Sequence, residues 1–138
     1  MKQEIALAFF LPLVVYMADA IGTQTETVLV RALAYGRVDV WTQLFREGLV
    51  GCLAGGTIGV LAGLVLWLSG GRPSLALVVA VTLTLTAIMA TLVASALPLW
   101  LAHLGADPAL ASGPVATVLQ DILSVAVYLG IANMVLRE

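Results

Sequence analysis

Four long apolar stretches divide the chain, at residues 5–34, 48–69, 75–101 and 114–136. Each is long enough for a helix to cross the hydrocarbon core of a bilayer, which takes about 20 residues. Lipid offers the backbone no water to hydrogen-bond, so only helices or closed barrels can span it. None of the stretches alternates with period two, which disfavours a barrel. The 138 residues are 62% hydrophobic and only 10% charged, with a mean hydropathy of +1.10. A soluble domain carries about 25% charged residues. The expected fold class is therefore all-α integral membrane, with four transmembrane helices in a single domain over residues 1–138.

The flanks and connections refine this picture. Lys2, the apolar run Ile5–Met17 and Ala18-Asp19-Ala20 imitate a cleavable leader, but Glu4 and Pro12 interrupt the pattern. Apolar sequence also resumes beyond the supposed cleavage point, so the first stretch is expected to stay. Thirty helical residues would reach about 45 Å, so that stretch should tilt, kink or project, with Pro12 and Gly22 as flexible points. Residues 35–47 read as a polar loop, Gly70-Gly71-Arg72-Pro73 as a tight turn, and 103–113 as a short loop in which Asp107 caps a short helix starting at Pro108. Basic residues do not set the orientation: Arg31, Arg37 and Arg46 stand against Lys2, Arg72 and Arg137. A net charge of −2 gives no footing for nucleic acid, and the lone Cys52 has no partner within the chain.

Gly51, Gly55, Gly59 and Gly63 repeat every four residues, so they line one helical face and admit a close neighbour. That neighbour is expected within the same chain, with a dimer seam as the alternative.

Asp121 lies inside the fourth stretch, with no basic residue on that stretch to neutralise it. A charge at that depth is costly and usually serves an ion, a proton or a partner helix. Asp19 and Glu26 are the other carboxylates inside apolar spans, seven residues apart on one helical face. Thr23 and Gln24 lie beside them. Thr117, Asp121, Ser124 and Tyr128 follow a single face of the fourth helix. Segment three adds several threonines, which commonly bond their own helix backbone. These groups are nearly all oxygen donors, and His103 stands alone. Oxygen-only surroundings suit hard cations such as Mg²⁺, Ca²⁺ or Mn²⁺. Four spans are few to enclose a hydrated ion, but a two-fold homodimer supplies eight and brings two Asp121 groups together. Their repulsion favours a cation between them. The plainer alternatives are protonated acids bonding across helices for Asp121 and Asp19, and an interfacial, solvated position for Glu26. No phosphate loop, dinucleotide fingerprint, zinc motif or nucleophile elbow is present, and no enzymatic activity is expected.

Ala8-Phe9-Phe10-Leu11-Pro12, Gly22-Thr23-Gln24 and Arg31-Ala32-Leu33-Ala34 resemble the second membrane helix of the MgtE family of magnesium channels and transporters. Leu104-Gly105-Ala106-Asp107-Pro108-Ala109-Leu110 is similar to that family's last loop, and Ala116-Thr117-Val118-Leu119-Gln120-Asp121-Ile122 to the start of its last helix. The resemblance implies a homodimeric pore in the prokaryotic cell membrane passing hydrated Mg²⁺, with Mn²⁺ or other divalent cations as further cargo. Asp121 takes the position of the pore aspartate. Asp107 takes that of the acid at the cytoplasmic mouth, and the loop after segment one and the 103–113 loop would face the cytoplasm. Asp19 would be a second acidic pore group, with Thr23, Gln24, Glu26, Thr117 and Ser124 lining the passage. The family pattern has Asn where this chain has Ala20, and Asp19 and Glu26 are additional acids. The match covers four of the family's usual five helices and none of its cytoplasmic sensor domains.

Two other functions compete. A four-helix proton-coupled exporter of organic cations would use Asp19, with Tyr16 as its nearest aromatic wall. A non-transporting subunit would use the glycine stripe to recruit a partner.

Overall fold

The computed structural model describes the backbone of residues 2–36, 38–111 and 114–136, and the side chains of 8–36, 38–110 and 115–135. Arg37 and Arg137 of the orientation count, and residues 112–113 of the last loop, lie outside the described residues. Four α-helices follow one another: α1 (Lys2–Tyr35), α2 (Val40–Leu68), α3 (Pro73–His103) and α4 (Pro114–Leu136). The stretches Ala8–Tyr35, Val40–Leu68, Pro73–His103 and Val115–Val135 are long and apolar enough to cross a membrane.

One boundary differs markedly from expectation. α2 begins at Val40, eight residues before the apolar run, because Asp39 accepts a hydrogen bond from the Thr42 N–H (2.9 Å) and caps the first turn. The Thr42 hydroxyl, and after it the Thr42 N–H, hold the Asp39 carboxyl below its ordinary pKa. The anticipated polar loop thus shrinks to residues 36–39. α1 runs unbroken through Pro12 and Gly22, so neither interrupts it, and Gly22 proves to be a packing contact.

Glycine sets the other two turns. Gly70 (φ 82°) and Gly105 (φ 71°) occupy the left-handed conformation just past α2 and α3. Gly70 N–H donates to Trp67 O (3.1 Å) and Gly71 N–H to Leu66 O (2.9 Å). Gly105 N–H donates to Ala102 O (3.1 Å) and Ala106 N–H to Leu101 O (3.0 Å). Both ends are therefore closed by the paired bonds that satisfy terminal carbonyls. Asp107 accepts from Ala109 N–H (2.9 Å) at the start of a 3-10 turn, Pro108–Ala111, as its spacing from Pro108 suggested.

α3 is the hub, packing against α2, α1 and α4. The glycine stripe of α2 lies on α3. A β-carbon at Gly51 would sit 2.8 Å from Ile88 Cα, at Gly55 3.0 Å from Leu83 O, and at Gly63 3.0 Å from Ala76 O. The stripe is thus an intrachain seam, used up by α3. Thr84 hydroxyl reinforces it by donating to Ala80 O (2.9 Å) and Gly55 O (3.3 Å). Thr86, Thr91 and Ser95 likewise bond carbonyls of their own helix, which hides their hydroxyls from lipid. On the other side of α3, Val14, Val78, Val79, Leu83, Tyr128 and Ala132 form the apolar core.

The loops at residues 36–39 and 104–108 share one end of the bundle, where Gly36, Val38, His103, Gly105 and Pro108 line a cavity of about 670 Å³.

Substituting Gly51 or Gly59 by Val should lower stability in detergent by about 1–3 kcal/mol, since overpacking displaces backbone here rather than a flexible side chain. Gly56, with open space around its Cα, should tolerate Ala and gain up to about 1 kcal/mol from helix propensity. Thermal unfolding of the three variants checks the contrast.

Candidate functional site at the α1–α4 crossing

Two stripes of four-residue period meet where α1 crosses α4. On α1, Val14, Ala18, Gly22 and Glu26 are buried; on α4, Ala116, Gln120, Ser124, Tyr128 and Ala132 are. Gly22 lies against the Gln120 side chain, whose Cδ and Nε2 would each be 2.7 Å from a β-carbon at that position. Val14 packs with Tyr128 and Ala132. Advancing from Val14 to Gly22 thus corresponds to receding from Tyr128 to Gln120, so the two helices are antiparallel with fixed register.

This register sorts the expected site residues into two sets. A residue following a stripe position is turned about 100° around its helix. In an antiparallel facing pair, that turn brings both followers to the same flank. Asp19 and Thr23 follow Ala18 and Gly22; Thr117 and Asp121 follow Ala116 and Gln120. Asp19, Thr117 and Asp121 are partly buried and Thr23 is exposed. Counted along the helices, Asp19 and Asp121 differ in depth by about 3 Å, two residues of rise. Neither makes a hydrogen bond or ion pair among the described residues. The flank is open because α3 packs on the opposite side, where Thr25 and Leu29 are buried.

The second set lies inside the seam. Glu26 is 5% exposed, Gln120 2% and Ser124 not at all. Glu26 is therefore buried within the bundle, away from the solvated position its alternative reading gave it. Glu26 Oε1, Gln120 Oε1, Ser124 Oγ and Thr82 Oγ1 are buried without a hydrogen-bond partner. Buried polar atoms normally have partners, so orphans of this kind call for an explanation.

Gln24 belongs to neither set. With Met17, Thr25, Glu47, Ala54 and Ile58 it lines a cleft of about 520 Å³ between α1 and α2. There Thr25 Oγ1 donates to Glu47 Oε2 (3.3 Å) and Gln43 Nε2 to Glu47 Oε1 (2.7 Å). Asp107 lies at the loop end, apart from these groups. Gln120 is uncharged and Glu47 falls in the polar stretch 35–47, so neither stands out in the sequence. A glutamine inside an apolar span was the available signal for the first. Among the described residues no three His, Cys, Asp or Glu side chains gather into a metal cluster.

The oxygen-only flank set in a membrane-spanning chain is compatible with a hard cation, and comparison with known proteins agrees. Residues 11–131 match the family model of MgtE, described as a divalent cation transporter. The chain belongs to the MgtE family. It is 40% identical over 136 residues to the magnesium transporter MgtE of Bacillus subtilis, 39% identical to that of Thermus thermophilus, and 33% identical over 139 residues to that of Enterococcus faecalis. The matches cover 95–96% of this chain and 30% of each relative, so the chain spans about a third of their length. The family description and the relatives' names are those of transporters, in keeping with the four helices long and apolar enough to cross a membrane. The organic-cation exporter gains nothing from this assignment, and the partner-recruiting stripe is already covered by α3.

The Gly22–Gln120 contact can be tested as a pair. Gly22→Ala should destabilise the protein by up to about 1 kcal/mol, less than the glycine-stripe variants, because its β-carbon meets the flexible end of the Gln120 side chain and not backbone. Adding Gln120→Ala should recover part of that loss. A double-mutant cycle on thermal stability reads the coupling.

Proposed function

We propose that this chain forms the membrane-spanning ion path of a magnesium transporter, working as a two-fold homodimer. Family membership and the relatives' names support the cargo. The observation that carries the site is the open flank on which Asp19, Thr23, Thr117 and Asp121 converge. One chain offers two carboxylates there; a symmetry mate doubles the set. Mg²⁺ dehydrates reluctantly and keeps several waters, so such a flank need not form a tight cage. Asp121 holds the ion electrostatically, largely through its water shell. Asp19 is the second acid, and Thr23 and Thr117 supply neutral oxygens, while Gln24, in the α1–α2 cleft, takes no part. Glu26 and Ser124 stand behind this lining, in the seam. Asp107 marks the cytoplasmic mouth at the loop end. A divalent cation between two facing Asp121 groups offsets their repulsion, which would otherwise drive one of them to take up a proton.

In the full-length protein, Asp121→Asn should cut Mg²⁺ uptake into magnesium-starved cells at least about tenfold, or 1.4 kcal/mol of ion stabilisation. Undiminished uptake removes Asp121 from the path.

Dimer geometry has its own check. In a Cys52→Ala background, Thr117→Cys, one turn from Asp121 on the same flank, should form an intermolecular disulfide in membranes under mild oxidation. Absence of cross-linking there, with efficient cross-linking from a position on α2, would place the two-fold axis elsewhere.

A further inference from the structure

We propose that Glu26 and Gln120 form a proton-binding site within each chain, in which the Glu26 carboxyl donates a hydrogen bond to Gln120 Oε1 across the α1–α4 seam. Two observations converge on it. Both side chains are more than nine-tenths buried, and each has an Oε1 atom with no partner. The register then aims one toward the other. Gly22 faces the Gln120 amide, and Glu26 lies one turn further along α1 on the same stripe. Helical side chains lean toward the N-terminus of their own helix. In this antiparallel pair Glu26 therefore leans toward Gly22, and Gln120 leans toward Ala116, opposite Glu26. Each of the two oxygens lacks a donor, the unpartnered hydroxyls of Ser124 and Thr82 bonding neither, and a single proton on Glu26 shared with Gln120 satisfies both.

The competing arrangement turns the Gln120 amide so that Nε2 donates to an ionised Glu26. It leaves a carboxylate charge in the seam with nothing to balance it. On α4, the titratable neighbours of Gln120 are Asp121 and, two turns on, Tyr128. On α3, no residue from Pro73 to Ala102 titrates, and His103 is at the end of the helix. From α2, Glu47 reaches Thr25. The 3-10 turn contributes no charge, and Asp107 precedes it. α1 itself carries Asp19 and, five residues beyond Glu26, the exposed Arg31. Acids outnumber bases around the site, and a buried unpaired charge is disfavoured on both counts.

The proton acts as a strut. It joins α1 to α4, the two helices whose outer flank holds Asp19 and Asp121, and it does so without using either acid. The site is independent of any transported ion, so it stands or falls apart from the transport reading.

Infrared spectroscopy of the purified full-length protein in lipid reads the carboxyl directly. The wild type at neutral pH should show a protonated-carboxyl carbonyl band that shifts in D₂O. The band should be lost in Glu26→Gln and kept in Asp19→Asn and Asp121→Asn. Glu26→Gln preserves shape and can donate Nε2–H to Gln120, so its thermal midpoint should match that of the wild type. The wild-type band also provides a readout that needs no variant to fold: it should persist when Na⁺ or Mg²⁺ is added at constant pH and disappear on strong alkalinisation. A wild type without the band at neutral pH, a band unchanged in Glu26→Gln, or a band removed by Na⁺ at constant pH would overturn the proposal.

Discussion

The close approach of α1 and α4 at Gly22 governs the rest of the arrangement. With no side chain at that position, the Gln120 amide lies against the α1 backbone, and the antiparallel register is fixed. Everything of chemical interest follows from that register. It puts Asp19 and Asp121 on one flank at nearly one depth, and it turns Glu26, Gln120 and Ser124 inward. In lipid, helices gain little from burying apolar surface against one another, so small residues and polar contacts decide which faces meet. The same logic operates between α2 and α3, where four glycines let backbone carbonyls of α3 come near.

The spans were readable because hydropathy is a local property summed over twenty residues. α4 emerged with the expected bounds for that reason. The beginning of α2 was not readable this way. Trp41, Thr42, Gln43, Arg46 and Glu47 break the apolar run, yet a helix needs only a cap and a continuing chain, and Asp39 supplies the cap. The glycine stripe was plain in sequence, but a four-residue repeat says nothing about which surface it meets. α3 matches it because Ala76, Ala80 and Ala87 are also small.

The candidate site was half visible. Charge draws the eye to Asp19, Glu26 and Asp121, and family motifs single out Asp121. Whether an acid faces inward or outward depends on where two helices cross, which no single helix encodes. Glu26 shares a helical face with Asp19 by spacing, yet 18 is the stripe position and 19 its follower, so the two end in different surroundings. Gln120 escaped notice because it carries no charge, although it is the residue that sets the crossing.

The early start of α2 bears on how the protein sits in its membrane. Twenty-nine helical residues extend about 43 Å, well beyond a hydrocarbon core of about 30 Å. Trp41 and Phe45 project from the opening turns at 81% and 75% exposure, with Tyr35 nearby at the end of α1 at 88%. The Trp41 and Tyr35 rings, each with one polar group, settle among lipid headgroups, and Phe45 extends into the hydrocarbon beside them. This aromatic collar pins the loop end of the bundle at a set height, so a thinner or thicker bilayer is met by tilting of the helices at the far end.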